Sequence, residues 1–220
     1  MKHKKLIIIS IITAIFLMAC STMSLTGRRQ LNLIPTSTML SMSFQQYDEF
    51  VKTNKISDND KQSAMVKRVG EQLAAAAEQY LTDKKLKSEI QNFDWEFKLI
   101  ESEEVNAWCM PGGKIVVYTG ILPLTKTEDG LAVVVGHEIG HALAKHGNER
   151  MSQGLMTQLG GVALSVALQE KPEQTQQLWM AAYGLGAQFG MMLPYSRLHE
   201  YEADEFGLVL MSMAGYDPQE

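Results

Sequence analysis

His137, Glu138 and His141 carry the most specific chemical signal in the chain, in the order His-Glu-Ile-Gly-His. In an α-helix, a step of four residues leaves the two imidazoles roughly 40° apart around the axis and about 6 Å apart along it, so both can reach one ion. Glu138 is turned by about 100° from His137, which lets its carboxylate face a water at the metal without binding the metal. The pattern is typical of a zinc site whose glutamate is the general base of a hydrolysis.

The residues around this motif indicate a buried helix. Between Leu131 and Ala144, Glu138 is the only charged residue, and a helix that is apolar on every side is buried. Two histidines and a glutamate buried without partners would be costly. An ordinary buried helix with hydrogen-bonded histidines is the alternative, but the spacing together with the burial favours zinc.

A third ligand is needed, because catalytic zinc takes three from the protein and keeps one position open. Two of the remaining histidines are poor candidates. His3 lies in the apolar leader, and His146, nine residues after His137, would face away, about 180° around the helix. The third metal ligand is therefore expected within the segment 196–204.

Acidic residues of this segment are the better candidates. Glu200 and Asp204, four residues apart, share a helical face, whereas Glu202 points to the other side. We expect Glu200 to bind the metal and Asp204 to accept the free N–H of a motif histidine, which fixes its tautomer. His199, about 100° off the face of Glu200, is a weaker candidate. The alternative is that these acids form a solvated helix face.

The N-terminus has the form of a secretory signal. Three lysines precede the apolar run 6–19, which is too short for a comfortable membrane span. The run ends in Leu-Met-Ala before Cys20 and resembles the lipobox of bacterial lipoproteins, so we expect cleavage after residue 19 and lipidation of Cys20. Ser21 follows the cysteine, which predicts a periplasm-facing lipoprotein of the cell envelope, in the outer membrane of a Gram-negative cell. An uncleaved signal anchor is the alternative.

Composition and charge narrow the class of protein. The chain has 220 residues, 45% of them hydrophobic and 20% charged, enough for a globular core. Without residues 1–19 it keeps 17 basic and 25 acidic residues, a net charge of −8, and it lacks a basic cluster with interleaved aromatics, so nucleic acid is not expected as a partner. If Cys20 is lipidated, Cys109 is the only thiol left, and we interpret it as buried and inert.

Beyond the signal, residues 20–36 are predicted to form an extended lipidated tether and residues 37–220 a single domain. A helix is predicted over 37–52, and a second one from a cap at Ser57 or Asp58 to about residue 81, with its apolar stripe in the core.

A small sheet is predicted directly before the motif helix. Strands are expected over 95–101, 105–110 and 114–118, and the helix should begin near residues 127–129. The fold class is therefore α+β, a mainly helical zincin domain whose edge strand precedes the motif helix. That edge strand should hold an extended substrate across the metal. Its residues are Lys114, Ile115, Val116, Val117 and Tyr118.

Two later stretches, 151–169 and 174–196, contain no charged residue. A membrane hairpin is one interpretation. Glutamines and glycines interrupt both stretches, however, so burial against the domain or shallow contact with a bilayer is favoured over spanning.

The two motifs together resemble those of peptidase family M48, the gluzincins that include HtpX-, BepA- and LoiP-like metalloproteases. The second motif is Ser-Arg-Leu-His-Glu-Tyr-Glu-Ala-Asp over 196–204, and Glu200 follows His141 by 59 residues. Further matches are Asn-Ala at 106–107 with Pro-Gly-Gly at 111–113, and Thr-Gly-Arg-Arg-Gln-Leu at 26–31. Because of its lipobox, the chain is most similar to the LoiP-like lipoprotein branch.

The resemblance implies one zinc ion on His137, His141 and Glu200, with Glu138 as catalytic base and Asp204 in support. It also implies hydrolysis of internal peptide bonds, in misfolded or stalled envelope proteins, and envelope assembly machinery as a partner. Family members usually continue further, so we expect the domain to be incomplete at its C-terminal end. The side chain that stabilises the oxyanion is not assigned, with Tyr195 and His199 as the candidates.

Two other classes of function remain open at this point. An envelope chaperone or assembly factor could carry a latent or structural zinc site, which a fourth, water-excluding ligand would mark. A lipoprotein scaffold without metal would show no zinc after purification.

Overall fold

Residues 20–219 are described by a computed structural model of the protein, and they form a mainly helical α+β fold, which confirms the predicted class. The strands are β1 (Cys20–Thr22), β2 (Arg29–Leu31), β3 (Glu96–Ile100), β4 (Ala107–Met110) and β5 (Lys114–Tyr118). The α-helices are α1 (Thr36–Thr53), α2 (Asp60–Asp83), α3 (Leu122–Thr125), α4 (Glu128–Leu143), α5 (His146–Leu168), α6 (Glu173–Ala187) and α7 (Leu193–Ala214). Short helical turns lie at Lys87–Ile90, Thr119–Ile121 and, as a π-helix, Gln188–Met192.

The described chain divides into two compact units. One contains residues 20–35 with Asn148–Leu193, and the other contains Thr36–Gly147 with residues 194–219. The predicted domain over 37–220 includes the second unit and residues 148–193 of the first. The predicted signal peptide, residues 1–19, lies outside the described residues. Both chemical motifs belong to the second unit.

In the first unit, the segment predicted as an extended tether is instead a folded hairpin. Strands β1 and β2 pair antiparallel, with Cys20 opposite Leu31. Arg28 donates two hydrogen bonds, 3.0 and 2.7 Å long, to the carboxylate of Glu149, whose side chain is almost fully buried. Bidentate, charge-assisted bonds of this kind are strong, and they hold the hairpin against α5.

Helices α5 and α6 of this unit leave large apolar side chains exposed. Examples are Leu159 and Val162 on α5 and Leu178 and Trp179 on α6. The sequence offered burial against the domain as one interpretation of these charge-free stretches, and α6 in fact has no buried residue among those described. Within residues 20–219, none of the helices combines the length and apolar character required to cross a bilayer.

The second unit contains a three-stranded sheet in the order β3-β5-β4. Strand β5 runs parallel to β3 and antiparallel to β4. The turn between β4 and β5 uses Gly112 and Gly113, at φ values of +93° and +86°, where a side chain would be strained. A Cβ at Gly113 would also lie 2.6 Å from the Trp95 ring, so only glycine fits this turn.

The central position of β5 corrects the predicted substrate strand. All five of its residues are buried, and its two sides are paired with β3 and β4. A strand paired on both sides has no row of backbone groups left for an extended substrate. The prediction that Lys114, Ile115, Val116, Val117 and Tyr118 hold the substrate is therefore wrong, because sequence order does not reveal strand order. The edge strands of this sheet are β3 and β4, and β4 is the one that packs against the motif helix α4.

Helix α2 packs against β3 and α4 and forms the core behind the motif helix. Its side chains at helical spacing are buried, as the sequence predicted; they include Val66, Val69, Leu73 and Ala77. The helix begins at Asp60, since the Asn59 side chain accepts a hydrogen bond from the Gln62 N–H at 3.1 Å. This corrects the predicted cap by one or two residues.

Candidate metal centre

Helix α4 begins where the sequence predicts it. The Thr127 side chain accepts a hydrogen bond from the backbone N–H of Gly130 at 2.9 Å, and two acidic residues follow in the first turn, where the helix dipole favours negative charge. Leu131, Val135 and Ile139 are completely buried, which fixes the rotation of the helix about its axis. The motif is therefore presented by a rigid, packed element.

Helices α4 and α7 cross at a very short distance, through small residues. A Cβ at Gly140 would lie 2.7 Å from the carbonyl oxygen of Ala203, and one at Gly207 would lie 3.0 Å from the backbone nitrogen of His137. Both contacts are to backbone atoms, which cannot move aside as a flexible side chain can. The glycine inside the His-Glu-Ile-Gly-His motif thus sets how close α7 comes to the histidines.

The crossing brings three donor atoms together from two helices. The Nε2 atoms of His137 and His141 lie 3.0 Å apart, and a Glu200 carboxylate oxygen lies 3.3 Å from the first and 3.7 Å from the second. Ligand atoms held by one zinc at 2.0–2.1 Å in tetrahedral geometry lie about 3.3 Å from each other. The spacing and the nitrogen and oxygen donors therefore fit zinc.

Solvent reaches this cluster. The side chains of His137, His141 and Glu200 are 24%, 14% and 51% exposed. Within the described residues, the group of side chains able to hold a metal consists of these three. Three protein ligands with access for water are the arrangement of a catalytic rather than a closed structural site.

Asp204 lies on the opposite side of the His137 ring from the donor cluster. Its Oδ1 is 2.8 Å from His137 Nδ1. A carboxylate there accepts a hydrogen bond from the Nδ1–H group, which keeps the ring proton on Nδ1 and leaves Nε2 free to bind a cation.

His146 corrects the sequence analysis, which expected it to face away. That expectation assumed one continuous helix, but α4 ends at Leu143 and Lys145 adopts a left-handed conformation with φ of +56°. The chain turns, α5 starts at His146, and its Nδ1 lies 2.8 Å from His141 Nδ1. Glycine or asparagine usually marks such a turn, and this sequence has a lysine, so it offered no signal.

Two further residues of the second motif lie in the same network. Glu202, expected on the far side of its helix, places Oε2 2.8 Å from His146 Nε2. His199, proposed as a weak ligand candidate, is buried and stacks on the His146 ring, with centroids 4.1 Å apart and planes at 18°. Tyr195, the other oxyanion candidate, is 37% exposed, and its ring centroid lies 6.4 Å from that of His199.

Glu138 is half-buried, and α4 packs against strand β4. The Cys109 thiol of β4 is close enough for the two groups to interact. Burial raises the pKa of this thiol well above its ordinary value, and the negative charge of Glu138 adds to the effect. The raised pKa keeps the thiol of the half-buried Cys109 uncharged, and its interaction with Glu138 marks β4 as the strand beside the proposed base.

A comparison with known families settles the relationship of the chain. The model of peptidase family M48 matches residues 60–220, which include both motifs. The chain belongs to peptidase family M48. The match confirms the predicted family.

The chain is similar in sequence to mitochondrial and bacterial peptidases. The chain is 38% identical over 132 residues to the mitochondrial metalloendopeptidase OMA1 of Arabidopsis thaliana, covering 60% of this chain and 25% of that protein. It is 38% identical over 131 residues to OMA1 of Schizosaccharomyces pombe, covering 60% and 36%. It is 28% identical over 127 residues to the beta-barrel assembly-enhancing protease of Escherichia coli (strain K12), covering 56% and 26%. The chain thus spans about a quarter to a third of the length of these relatives.

The crossing of α4 and α7 predicts a graded effect of two matched substitutions. Gly140→Ala places a Cβ against the Ala203 backbone and should destabilise the protein by about 1–3 kcal/mol, because overpacking forces the helices apart. Zinc affinity should fall with it. Gly136→Ala is the milder comparison at the same crossing, since its Cβ would lie 3.3 Å from the Gly207 carbonyl oxygen, a contact relieved by a shift of a few tenths of an ångström. Thermal unfolding and zinc titration of both variants measure the difference, and equal effects would contradict the proposed constraint.

Proposed function

We propose that this chain is a zinc-dependent metalloendopeptidase that hydrolyses internal peptide bonds of cell-envelope proteins. The proposal depends above all on the convergence of His137, His141 and Glu200, whose donor atoms lie 3.0–3.7 Å apart where solvent has access. Membership of a peptidase family and similarity to proteins named as metalloendopeptidases support it.

The three donors would hold one zinc ion, with Asp204 fixing the tautomer of His137. When bound, zinc supplies Lewis-acid activation of a water nucleophile and of the scissile carbonyl. The residues of the chain then have to orient that water, move its proton and align the substrate.

Glu138 is the proposed proton carrier. It directly follows the ligand His137 on a buried, rigid helix, and its carboxylate lies near β4, beside the proposed path of the substrate. A carboxylate in this place takes the proton of the attacking water and returns it to the departing amine, a role worth typically 10²–10⁴ in rate.

Strand β4 replaces β5 as the proposed substrate-holding strand. The Tyr118 N–H donates to the Asn106 carbonyl at 3.1 Å, which sets the alternation of the antiparallel ladder. In that alternation, the backbone N–H and C=O groups of Ala107 and Cys109 point away from β5, toward the outer edge. An extended peptide can add to this edge as a further strand, beside Glu138.

The proposed cellular setting is the cell envelope. The lipobox before Cys20 supports a lipid tether in the cell envelope, and the serine after it supports the outer membrane. The bacterial relatives are named for beta-barrel assembly, which supports envelope proteins as substrates and assembly machinery as a partner, whereas the OMA1 relatives are mitochondrial. Palmitate labelling that is lost in a Cys20→Ser variant tests the tether.

The central experiment is Glu138→Gln. This substitution keeps the size of the side chain but removes the base, so hydrolysis of casein or of a quenched fluorescent peptide should fall at least about 100-fold. Zinc content, measured by mass spectrometry of the purified protein, should stay at one ion per chain. Chelation should abolish the wild-type activity, and added zinc should restore it.

Other outcomes would favour other functions. Full activity in Glu138→Gln would contradict the assignment of the base. Stoichiometric zinc in a wild-type protein without hydrolytic activity would favour a chaperone or assembly factor, and zinc content near zero would favour a scaffold.

The edge-strand assignment predicts the effect of Cys109→Pro. Proline removes the outward N–H at this position and leaves the hydrogen bonds to β5 intact, a place where edge strands tolerate proline. The loss of one substrate hydrogen bond should lower kcat/KM about tenfold, with unchanged zinc content. Cys109→Ala is the matched control, since it removes the same thiol and keeps the N–H. If both variants cleave peptides equally well, β4 does not hold the substrate through this group.

A further inference from the structure

We propose that His146 and Glu202 are positioning residues for His141: together they fix the tautomer of His141 so that its Nε2 atom is the one presented to the metal. The inference rests on the proposed zinc function and adds two residues to it. It explains why a buried histidine pair lies directly behind the donor cluster.

The protons of the network can be assigned from its contacts. A metal on His141 Nε2 requires the ring proton on Nδ1, and that N–H can then donate to His146 Nδ1, 2.8 Å away. His146 Nδ1 is an acceptor only if its own ring proton is on Nε2. That second N–H donates to Glu202 Oε2, also at 2.8 Å. A carboxylate at the far end therefore selects the tautomer of both rings.

Burial makes this selection effective. His146 is completely buried, and the Glu202 side chain is only 12% exposed. Hydrogen bonds to a charged group are stronger away from water, and an unsatisfied partner there is costly. The stacked ring of His199 fixes the plane of His146, so its two nitrogens stay aimed at His141 and Glu202.

The two proposed metal-binding histidines are thus supported in different ways by the same helix. Asp204 contacts His137 directly, at 2.8 Å. Glu202 is linked to His141 through the interposed imidazole of His146, at 2.8 Å on each side. Helix α7 therefore supplies a ligand, Glu200, and both carboxylates that orient the other two ligands.

A matched pair of variants at His146 tests the acceptor. His146→Leu fills the buried space without a hydrogen-bond acceptor, whereas His146→Asn keeps an acceptor oxygen near the position of Nδ1. Zinc dissociation constants are measured by competition with a chromophoric chelator, a readout that needs no peptidase activity. We expect His146→Leu to weaken zinc binding 10–100-fold, the range found when such outer partners are removed, and His146→Asn to stay within a few-fold of wild type.

A second pair tests the carboxylate, and its two single variants remain available if His146→Leu does not fold. Glu202→Gln retains an oxygen that accepts from His146 Nε2–H and should bind zinc nearly as wild type does. Glu202→Leu should weaken binding severalfold, but should add no further loss in a His146→Leu background, because the two residues act through one path. Thermal unfolding of the zinc-free variants measures any purely structural effect.

The outcomes separate this inference from the proposed function. If wild type binds zinc and cleaves peptides while His146→Leu binds zinc within threefold of it, the positioning role is refuted. Equal losses in His146→Leu and His146→Asn would also refute it, since packing and not the acceptor would matter. A wild-type protein without zinc would instead refute the proposed function itself.

Discussion

The close crossing of α4 and α7 is the constraint on which the rest of the site depends. Two helices that carry ordinary side chains at their contact lie 8–10 Å apart, whereas glycine and alanine let the backbones touch. Here a single added methyl group at Gly140 would meet the Ala203 backbone at 2.7 Å. The histidines lie on α4 and Glu200 lies on α7. The distance between these two helices therefore decides whether the Glu200 carboxylate can reach the two imidazoles.

Burial supplies the second physical requirement. A motif helix surrounded by core residues is rigid. It also places the imidazoles where a polar atom without a hydrogen bond would destabilise the protein. The structure gives each histidine a defined partner for Nδ1, Asp204 in one case and His146 in the other. Both rings consequently present Nε2 to the same point. These hydrogen bonds hold the two rings in the orientation that a shared ion requires.

Much of this could be predicted from the sequence, for physical reasons that differ between residues. The ligand spacing of His137 and His141 and the apolar run around them are local patterns, so the helix and its burial follow directly. Strand order is a long-range property, and the sequence could not show that β5 lies between β3 and β4. His146 was misplaced because its position depends on a left-handed lysine that no local rule anticipates. The ion pair between Arg28 and Glu149 joins segments 121 residues apart, so no local spacing reveals it.

X-ray absorption at the zinc edge of the purified protein tests the central claim most directly, since it measures the coordination of the ion itself. The account predicts one zinc per chain, with two imidazole nitrogens, one carboxylate oxygen and one solvent oxygen at about 2.0–2.1 Å. Replacing Glu200 by alanine should remove the single carboxylate oxygen from this shell. A shell closed by four protein ligands, or one that does not change without Glu200, would contradict a catalytic zinc held by these two helices.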